Sequence, residues 1–275
     1  MMDELLASIP ELADRGPFKF QALAGGLTNR NFLLTGTEGR LVLRLNNQAP
    51  GVDREREAIA LTLASELGIG ATIVANKPAA GYLLTEYIDG PVWTPEQARD
   101  PEAQERLGHC LRRLHQSVVD LPAFKPMVEL RSYLQQPETR VLDYFDSLIV
   151  AVDELERLLE TQAYYEHLPV PCHHDLVHRN ILGQQDLRLI DWEFAALGNP
   201  LLDLATFINY HDLAPDEYAP LLASYFGGQA PEQWPQLSAA IRLAQLLELF
   251  WLLNQRSKLP EIGQQRLRQL LIVWQ

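Results

Sequence analysis

Four polar side chains in the second half of the sequence have the types and spacing needed for phosphoryl transfer. His173-x-Asp175 is followed by Asn180, then by the short apolar run Leu187–Ile190, which ends at Asp191. One carboxylate can accept or orient the proton of an attacking hydroxyl group. An amide oxygen and a second carboxylate are hard ligands for Mg²⁺, which bridges the phosphates of ATP. The pattern predicts Asp175 as the catalytic base and Asn180 and Asp191 as Mg²⁺ ligands.

The same stretch resembles the aminoglycoside phosphotransferase and choline kinase superfamily. Members carry H-x-D-x-x-x-x-N followed by I-D-[FW]-E-[YF], and residues 173–180 and 189–194 match both patterns. Residues 200–205, Pro-Leu-Leu-Asp-Leu-Ala, resemble a later D-[IL]-A segment of that family, while protein kinases have D-F-G where this chain has Asp-Trp-Glu. The resemblance implies that His173 packs and hydrogen-bonds to hold the catalytic loop. The roles of Glu193 and Asp203 stay open at this point.

Two other classes of protein would explain part of this stretch. His173, His174, Asp175 and His178 form a cluster suited to zinc or iron, because imidazole binds both metals, and this favours a metallohydrolase. That hypothesis leaves the asparagine and the second aspartate without a role. The other alternative is an inactive nucleotide-binding module, against which the presence of all three predicted phosphoryl-transfer side chains argues.

The composition sets limits on partners and location. A net charge of −13 over 275 residues argues against nucleic acid as a partner and suits a cationic substrate, although acidic proteins also use charge for solubility. Cys110 and Cys172 lie in apolar surroundings and predict free buried thiols in a reducing compartment. The first residues lack the features of a signal peptide, and no run of about 18 uncharged apolar residues suggests a membrane span. We expect a cytoplasmic protein, monomeric or homodimeric.

The order of predicted elements changes from strands to helices along the chain. Together with the resemblance, it predicts an α+β, protein-kinase-like two-lobe fold with ATP between the lobes. A small antiparallel β lobe, residues 1–88, would bind the nucleotide, and a larger helical lobe, residues 89–275, would carry the catalytic loop and the acceptor site. The strands are predicted at 18–23, 31–35, 40–45, 71–75 and 81–88, and the first helices at 3–14 and 52–67. Residues 94–97 are predicted as a capping box, and a longer helix is predicted to start at Asp100-Pro101.

A glycine-containing segment between the first two strands is suited to binding phosphates. Gly25 and Gly26 allow backbone N–H groups to approach oxygens that a Cβ would block, and Thr28 and Asn29 can add side-chain donors. An ordinary turn would also explain two adjacent glycines. The segment resembles the G-G-[LM]-[ST]-N-x-[NS]-[FY] loop of choline kinase-like proteins, and this implies a role in covering the ATP phosphates.

The third strand offers Arg44 as the cation that contacts the phosphates, a position where kinases usually have lysine. Its planar guanidinium suits bidentate phosphate contact, although an exposed strand arginine is the alternative. Arg54 and Glu57 resemble the R-x-x-E pair of the family, which implies that Glu57 holds Arg44 in place. Glu55 is the competing candidate. At the end of the last strand, the backbone from Glu86 to Ile88 is predicted to bind the adenine edge.

The acceptor is predicted from resemblance rather than from a motif. The resemblance implies ATP- and Mg²⁺-dependent phosphorylation of a hydroxyl group on a small cationic metabolite, either choline- or ethanolamine-like or thiamine. An aminoglycoside or sugar phosphotransferase is the alternative. Aromatic and acidic residues late in the chain can recognise a cation, although core packing explains most of them. They are Tyr225, Trp234, Glu248, Phe250 and Trp251.

Overall fold

The computed structural model describes residues 2–13, 15–23, 29–47, 53–228 and 235–274. It confirms the predicted α+β class, with one five-stranded antiparallel sheet, two short two-stranded sheets and many helices. The strands are β1 (Lys19–Leu23), β2 (Asn29–Gly36), β3 (Gly39–Asn46), β4 (Ile73–Lys77), β5 (Tyr82–Glu86), β6 (Val170–Cys172), β7 (Ile181–Leu182), β8 (Arg188–Leu189) and β9 (Ala196–Gly198).

Helices make up most of the chain after residue 100. Short 3-10 turns occupy Pro10–Leu12, Pro78–Ala80, Gln97–Arg99, Tyr164–Glu166, His178–Asn180 and Arg256–Lys258. The α-helices are α1 (Met2–Ala7), α2 (Arg54–Glu66), α3 (Pro101–His115), α4 (Pro126–Gln135), α5 (Pro137–Arg140), α6 (Phe145–Thr161), α7 (Pro200–Tyr210), α8 (Ala219–Phe226), α9 (Pro235–Gln255) and α10 (Glu261–Trp274).

The large sheet has the strand order β1-β2-β3-β5-β4. Strands β2 and β3 form a hairpin in which Phe32 pairs with Leu43, and β3 pairs with β5 so that Leu43 lies opposite Leu84. Leu34, Leu43 and Leu84 are fully buried and form a core with the leading segment around Ile9. One face of the sheet is thereby covered, which leaves polar residues such as Arg44 on alternate positions.

The chain forms two compact units. Residues 178–195 belong to the same unit as the large sheet, because Val92 pairs with Leu182 and the Leu189 N–H donates to the Ile69 carbonyl at 2.6 Å. This unit therefore contains more than the predicted lobe of residues 1–88. Unit 1 is Met1–Thr94, Val119–Leu121 and His178–Ala195, and unit 2 is Pro95–Val118, Pro122–Val177 and Ala196–Gln275.

Unit 2 is built around the long helix α9. By length and composition alone α9 could cross a membrane, but 56% of its most apolar stretch is buried inside the protein. It packs against α4, α6, α7 and α10, all in the same unit. This packing is typical of the core helix of a helical domain.

The first predicted helix is shorter than expected. Residues 3–14 form only α1 and a 3-10 turn, since Pro10 has no N–H with which to continue an α-helix. The predicted capping box at 94–97 leads only into another 3-10 turn. The predicted helix start is confirmed, because α3 begins at Pro101 and the Asp100 carboxylate accepts a hydrogen bond from the Ala103 N–H at 2.8 Å. The predicted thiols are confirmed as free and buried.

Candidate active site

The hairpin of β7 and β8 brings two predicted metal ligands together in unit 1. Ile181 pairs with Leu189, so Asn180 and Asp191 lie at the same open end of the hairpin. The Ile190 N–H donates to the Asn180 carbonyl at 3.0 Å, which fixes the residue before Asp191 beside the asparagine. Both side chains offer hard oxygen atoms, and this donor chemistry fits Mg²⁺.

Asp191 has an unusual backbone conformation. Its φ is 67°, in the left-handed region that non-glycine residues adopt uncommonly, although aspartate tolerates it better than most. Asp191 is half-buried, whereas Asn180 is 4% exposed. A residue held in such a conformation by its surroundings is often found at a functional site.

The hairpin is supported by the segment that follows β5. The Trp93 N–H donates to the Ile181 carbonyl at 2.9 Å and its indole N–H donates to the Gly183 carbonyl at 2.8 Å. The Gly183 N–H in turn donates to the Pro91 carbonyl at 2.9 Å. Gly183 has a φ of 88°, which allows the tight turn after β7. These bonds fix where Asn180 and Asp191 lie within unit 1.

Arg44 is paired with Glu57 and not with Glu55. The Arg44 Nη1 lies 2.6 Å from Glu57 Oε1, and Glu57 is 1% exposed. Glu55 is exposed, and its N–H donates to the Asp53 carboxylate that caps α2. The ion pair therefore matches the arrangement that the resemblance implied. That Arg44 contacts phosphates stays a prediction.

Only the last residue of the predicted glycine loop is described. Asn29 begins β2, is largely buried, and accepts a hydrogen bond at its Oδ1 from Arg54 Nη2 at 2.7 Å. Gly25, Gly26 and Thr28 lie outside the described residues. The loop's role in binding phosphates therefore remains a prediction.

The predicted adenine-binding segment follows directly from the sheet. The Glu86 N–H donates to the Thr72 carbonyl at 2.9 Å and the Tyr87 N–H to the Arg40 carbonyl at 3.0 Å. These two donors are used within unit 1, so an adenine ring would need other backbone groups between Glu86 and Ile88. Their role in nucleotide binding stays a prediction.

In unit 2, Asp203 holds the start of the predicted catalytic loop. Strand β6 leads into His173, and the Asp203 carboxylate accepts hydrogen bonds from the backbone N–H of His173 at 2.8 Å and of His174 at 2.7 Å. The His173 ring is fully buried, and its Nδ1 accepts a hydrogen bond from the Asp175 N–H at 3.3 Å. These contacts fit the positioning role implied for His173. They also give Asp203 a role that the sequence left open.

The Asp203 carboxylate is fully buried and its pKa lies well below the usual range. Burial raises this pKa, but hydrogen bonding and positive charge from His115, with further charge from His174 and His173, outweigh that effect. His115 Nε2 lies 3.0 Å from Asp203 and its Nδ1 lies 2.7 Å from the Tyr225 hydroxyl. The network extends from the catalytic loop into the core of unit 2.

Among the described residues of unit 2, His173, His174 and Asp175, three members of the metal cluster predicted as an alternative, do not form a close group of ligand atoms. Among the described residues, the ligand-type side chains that lie within 4.8 Å of one another are His115, Cys172 and Asp203. Burial raises the pKa of the Cys172 thiol well above its usual value, and Asp203 already accepts hydrogen bonds. A protonated thiol and an occupied carboxylate are poor metal ligands, so this group is better described as a hydrogen-bonded core.

The late aromatic and acidic residues mostly serve the core, as the packing alternative predicted. Phe250 is fully buried and stacks on Tyr133, and Tyr225 is the buried partner of His115. Glu248 accepts from Arg266 Nε at 3.0 Å and from its Nη2 at 2.9 Å. Two members of the predicted set remain: half-buried Trp251, and Trp234, which lies outside the described residues.

Two residues were missed as parts of the site. Asp203 carried only a weak signal, its position in the D-[IL]-A segment, and nothing local showed that its carboxylate would reach His173. Arg54 was noted only through its R-x-x-E spacing with Glu57, yet its guanidinium contacts Asn29, 25 residues away. The described residues predicted for catalysis, metal and nucleotide binding are divided between the units. His173 and Asp175 belong to unit 2, and unit 1 contains Asn29, Arg44, Glu57, Glu86, Ile88, Asn180 and Asp191.

The comparisons with known proteins all indicate similarity to phosphotransferases. The model of a family described as the phosphotransferase enzyme family matches residues 19–239. Protein LicA of Haemophilus influenzae is 30% identical over 211 residues, which are 73% of this chain and 61% of that protein. Homoserine kinase of Neisseria meningitidis serogroup B is 27% identical over 214 residues, 71% of this chain and 68% of that protein. This chain therefore spans less than two thirds of the LicA relative's length.

A solved structure resembles nearly the whole chain. The choline/ethanolamine kinase family protein from Mesorhizobium loti has a TM-score of 0.79 and 25% identity, and the match covers 98% of this chain and 94% of that one. The match confirms the predicted protein-kinase-like fold class.

Proposed function

The chain belongs to the phosphotransferase enzyme family, and on that premise we propose that it is a kinase that phosphorylates the hydroxyl group of a small cationic alcohol of the choline or ethanolamine type. The observation that supports the kinase assignment is the β7–β8 hairpin, in which Asn180 and Asp191 lie at the same end. An amide and a carboxylate in that arrangement are the ligands that a metal-bound nucleotide requires.

Each predicted residue has a defined part in this proposal. When bound, Mg²⁺ neutralises charge on the phosphates of ATP, whose γ-phosphoryl group passes to the acceptor oxygen. Asn180 and Asp191 hold the metal ion, and Arg44, kept in place by Glu57, steadies the phosphates. Asp175 orients the acceptor hydroxyl and takes its proton, and His173 holds the backbone of Asp175.

The acceptor class is supported by the relatives and by charge. The Mesorhizobium loti protein is described as a choline/ethanolamine kinase family member, and a chain with a net charge of −13 attracts cations. Homoserine is the second candidate, because a homoserine kinase is 27% identical to this chain. Unlike choline and ethanolamine, homoserine carries a carboxylate. An acidic protein would bind this negatively charged group less readily.

An acceptor panel tests the proposal. We would measure Mg²⁺-dependent ADP formation with choline, ethanolamine, thiamine, homoserine, an aminoglycoside and a sugar, and identify the product by phosphorus NMR. We expect turnover with choline or ethanolamine and a phosphate ester on the alcohol oxygen. Turnover with homoserine alone would replace the cationic acceptor by an amino acid. No turnover with any hydroxyl compound would contradict the proposal.

We also propose a cytoplasmic location, where ATP is available and the buried Cys110 and Cys172 thiols stay reduced. Cell fractionation with an antibody against the protein tests this. Recovery in the periplasmic or extracellular fraction would contradict it.

A further inference from the structure

We propose that Arg54 is a positioning residue of the nucleotide site, in which its guanidinium joins three segments that the site needs. The segments are the end of the glycine loop at Asn29, the Arg44–Glu57 pair, and the turn that follows Asp191. The inference rests on the proposed function, because it concerns the site that would hold Mg²⁺ and ATP. Neither the R-x-x-E spacing nor the family resemblance gives Arg54 this positioning role.

The first two contacts of Arg54 lie on the phosphate side of the site. Its Nη1 lies 2.7 Å from Glu57 Oε2, and its Nη2 donates to Asn29 Oδ1 at 2.7 Å and to the Asn47 carbonyl at 3.3 Å. The Glu57 carboxylate is therefore shared between Arg54 and Arg44, one on each oxygen. The side chain of Arg54 is 15% exposed, so these bonds are only weakly screened by water.

The third contact is with the segment that carries the predicted metal ligand. Arg54 Nη1 lies 3.8 Å from Glu193 Oε2, and Glu193 is only two residues after Asp191. The same segment is held through its backbone, because Arg56 Nη2 donates to the Glu193 carbonyl at 2.9 Å. The first turn of α2 thus holds Glu193, the residue that follows Asp191 and Trp192, through two arginines.

The four side chains form a balanced charge network of two arginines and two glutamates. Glu57 and Glu193 are both buried, and a buried carboxylate that loses its partner is costly. If Arg54 were absent, Glu57 would keep its ion pair with Arg44 but lose the one with Arg54, and Glu193 would lose its ion pair with Arg54. Both the predicted phosphate contact and the turn after Asp191 would then be less well fixed.

The geometry requires an arginine rather than any cation. The planar guanidinium places two nitrogen atoms on different partners, Nη1 on the two glutamates and Nη2 on Asn29. A lysine ammonium is a single point charge on a flexible chain and cannot hold such a fork. Arg54→Lys therefore keeps the charge and removes the bridge.

The test measures binding of Mg²⁺ and a non-hydrolysable ATP analogue by titration calorimetry, with no acceptor present. The variants are Arg54→Lys, Glu193→Gln and the double variant, with Arg131→Ala as the matched control. Arg131 also bridges two acids, Asp153 and Glu156, but on the exposed surface of unit 2. Amide hydrogen exchange of residues 189–195 in the nucleotide-free protein gives a second readout that does not depend on activity.

We expect Arg54→Lys to weaken binding of the Mg²⁺-analogue complex by about 10- to 100-fold, the usual effect of losing a residue that orients metal ligands. Exchange at 189–195 should become faster while circular dichroism shows an intact fold. The double variant should bind about as well as Arg54→Lys alone, because both changes remove the same link. Arg131→Ala should bind like the wild-type protein.

Three results would overturn the inference: wild-type affinity and exchange in Arg54→Lys, equal weakening in Arg131→Ala, or fully additive losses in the double variant. Binding of the analogue does not need the acceptor, so a failed acceptor panel leaves this test decisive. A wild-type protein that binds no Mg²⁺-analogue complex would overturn both this inference and the proposed function.

Discussion

At the scale of single residues, the predicted chemistry depends on carboxylates with different surroundings. Asp203 is fully buried and accepts backbone hydrogen bonds from His173 and His174, so its charge organises the loop instead of reacting. Asp175 is half-buried and follows that loop start. The proposed function therefore gives the enclosed aspartate a positioning role and the half-buried one a catalytic role.

Asp175→Asn tests the catalytic part. The amide keeps the size of the side chain but cannot take a proton, so we expect kcat to fall by about 10²- to 10⁴-fold with little change in the melting temperature. Initial rates with saturating ATP and the best acceptor measure this. An unchanged kcat would remove Asp175 from the reaction.

The pH dependence of the stability of Asp203→Asn tests the positioning role of Asp203. The folded-state pKa of Asp203 lies below its unfolded value of about 3.9, so its stabilisation is present above that value and is lost as pH falls toward the folded pKa. We expect the variant to be less stable by about 3 kcal/mol at pH 7. This difference should shrink between about pH 5 and pH 3. Urea unfolding across pH 3–8 measures it, and a difference that stays constant would contradict the assignment.

At the scale of elements, the short β7–β8 hairpin decides where the predicted metal ligands lie. Sequence spacing was enough to select Asn180 and Asp191, because the apolar run between them indicated a strand. It was not enough to show that Trp93 would fix the hairpin, or that Arg54 would reach Glu193. Those contacts join residues that are far apart in the chain, and only the folded backbone brings them together.

Gly183→Ala tests the hairpin. Gly183 has a φ of 88°, and a Cβ there would lie 2.5 Å from the Asp186 carbonyl oxygen, so the turn must shift. We expect weaker Mg²⁺-dependent nucleotide binding and a lower melting temperature. Gly81→Ala is the matched control, since Gly81 has a φ of 79° and open space around its Cβ position. Equal effects of the two variants on nucleotide binding would show that the turn does not position the site.

At the scale of the whole molecule, the element order together with the family resemblance was sufficient for the fold class but not for the acceptor. The strand-to-helix order predicted the α+β architecture, and the likeness over 98% of the chain confirms its class. Acceptor recognition leaves little trace in the sequence, because aromatic residues such as Phe250 fill the core as readily as they bind cations. The charge of −13 is compatible with the proposed cationic acceptor, but acidic proteins also use such charge for solubility.

The central claim is that the open end of the β7–β8 hairpin holds the metal of a metal–nucleotide complex. Its most direct test is calorimetric binding of a non-hydrolysable ATP analogue, with and without Mg²⁺, to the wild-type protein, Asp191→Asn and Asp186→Asn. Asp186 is an exposed acid in the turn of the same hairpin, so its variant removes the same charge from the same element. We predict that only Asp191→Asn loses the Mg²⁺-dependent gain in affinity. Equal loss in both variants, or no Mg²⁺ dependence in the wild-type protein, would contradict the claim.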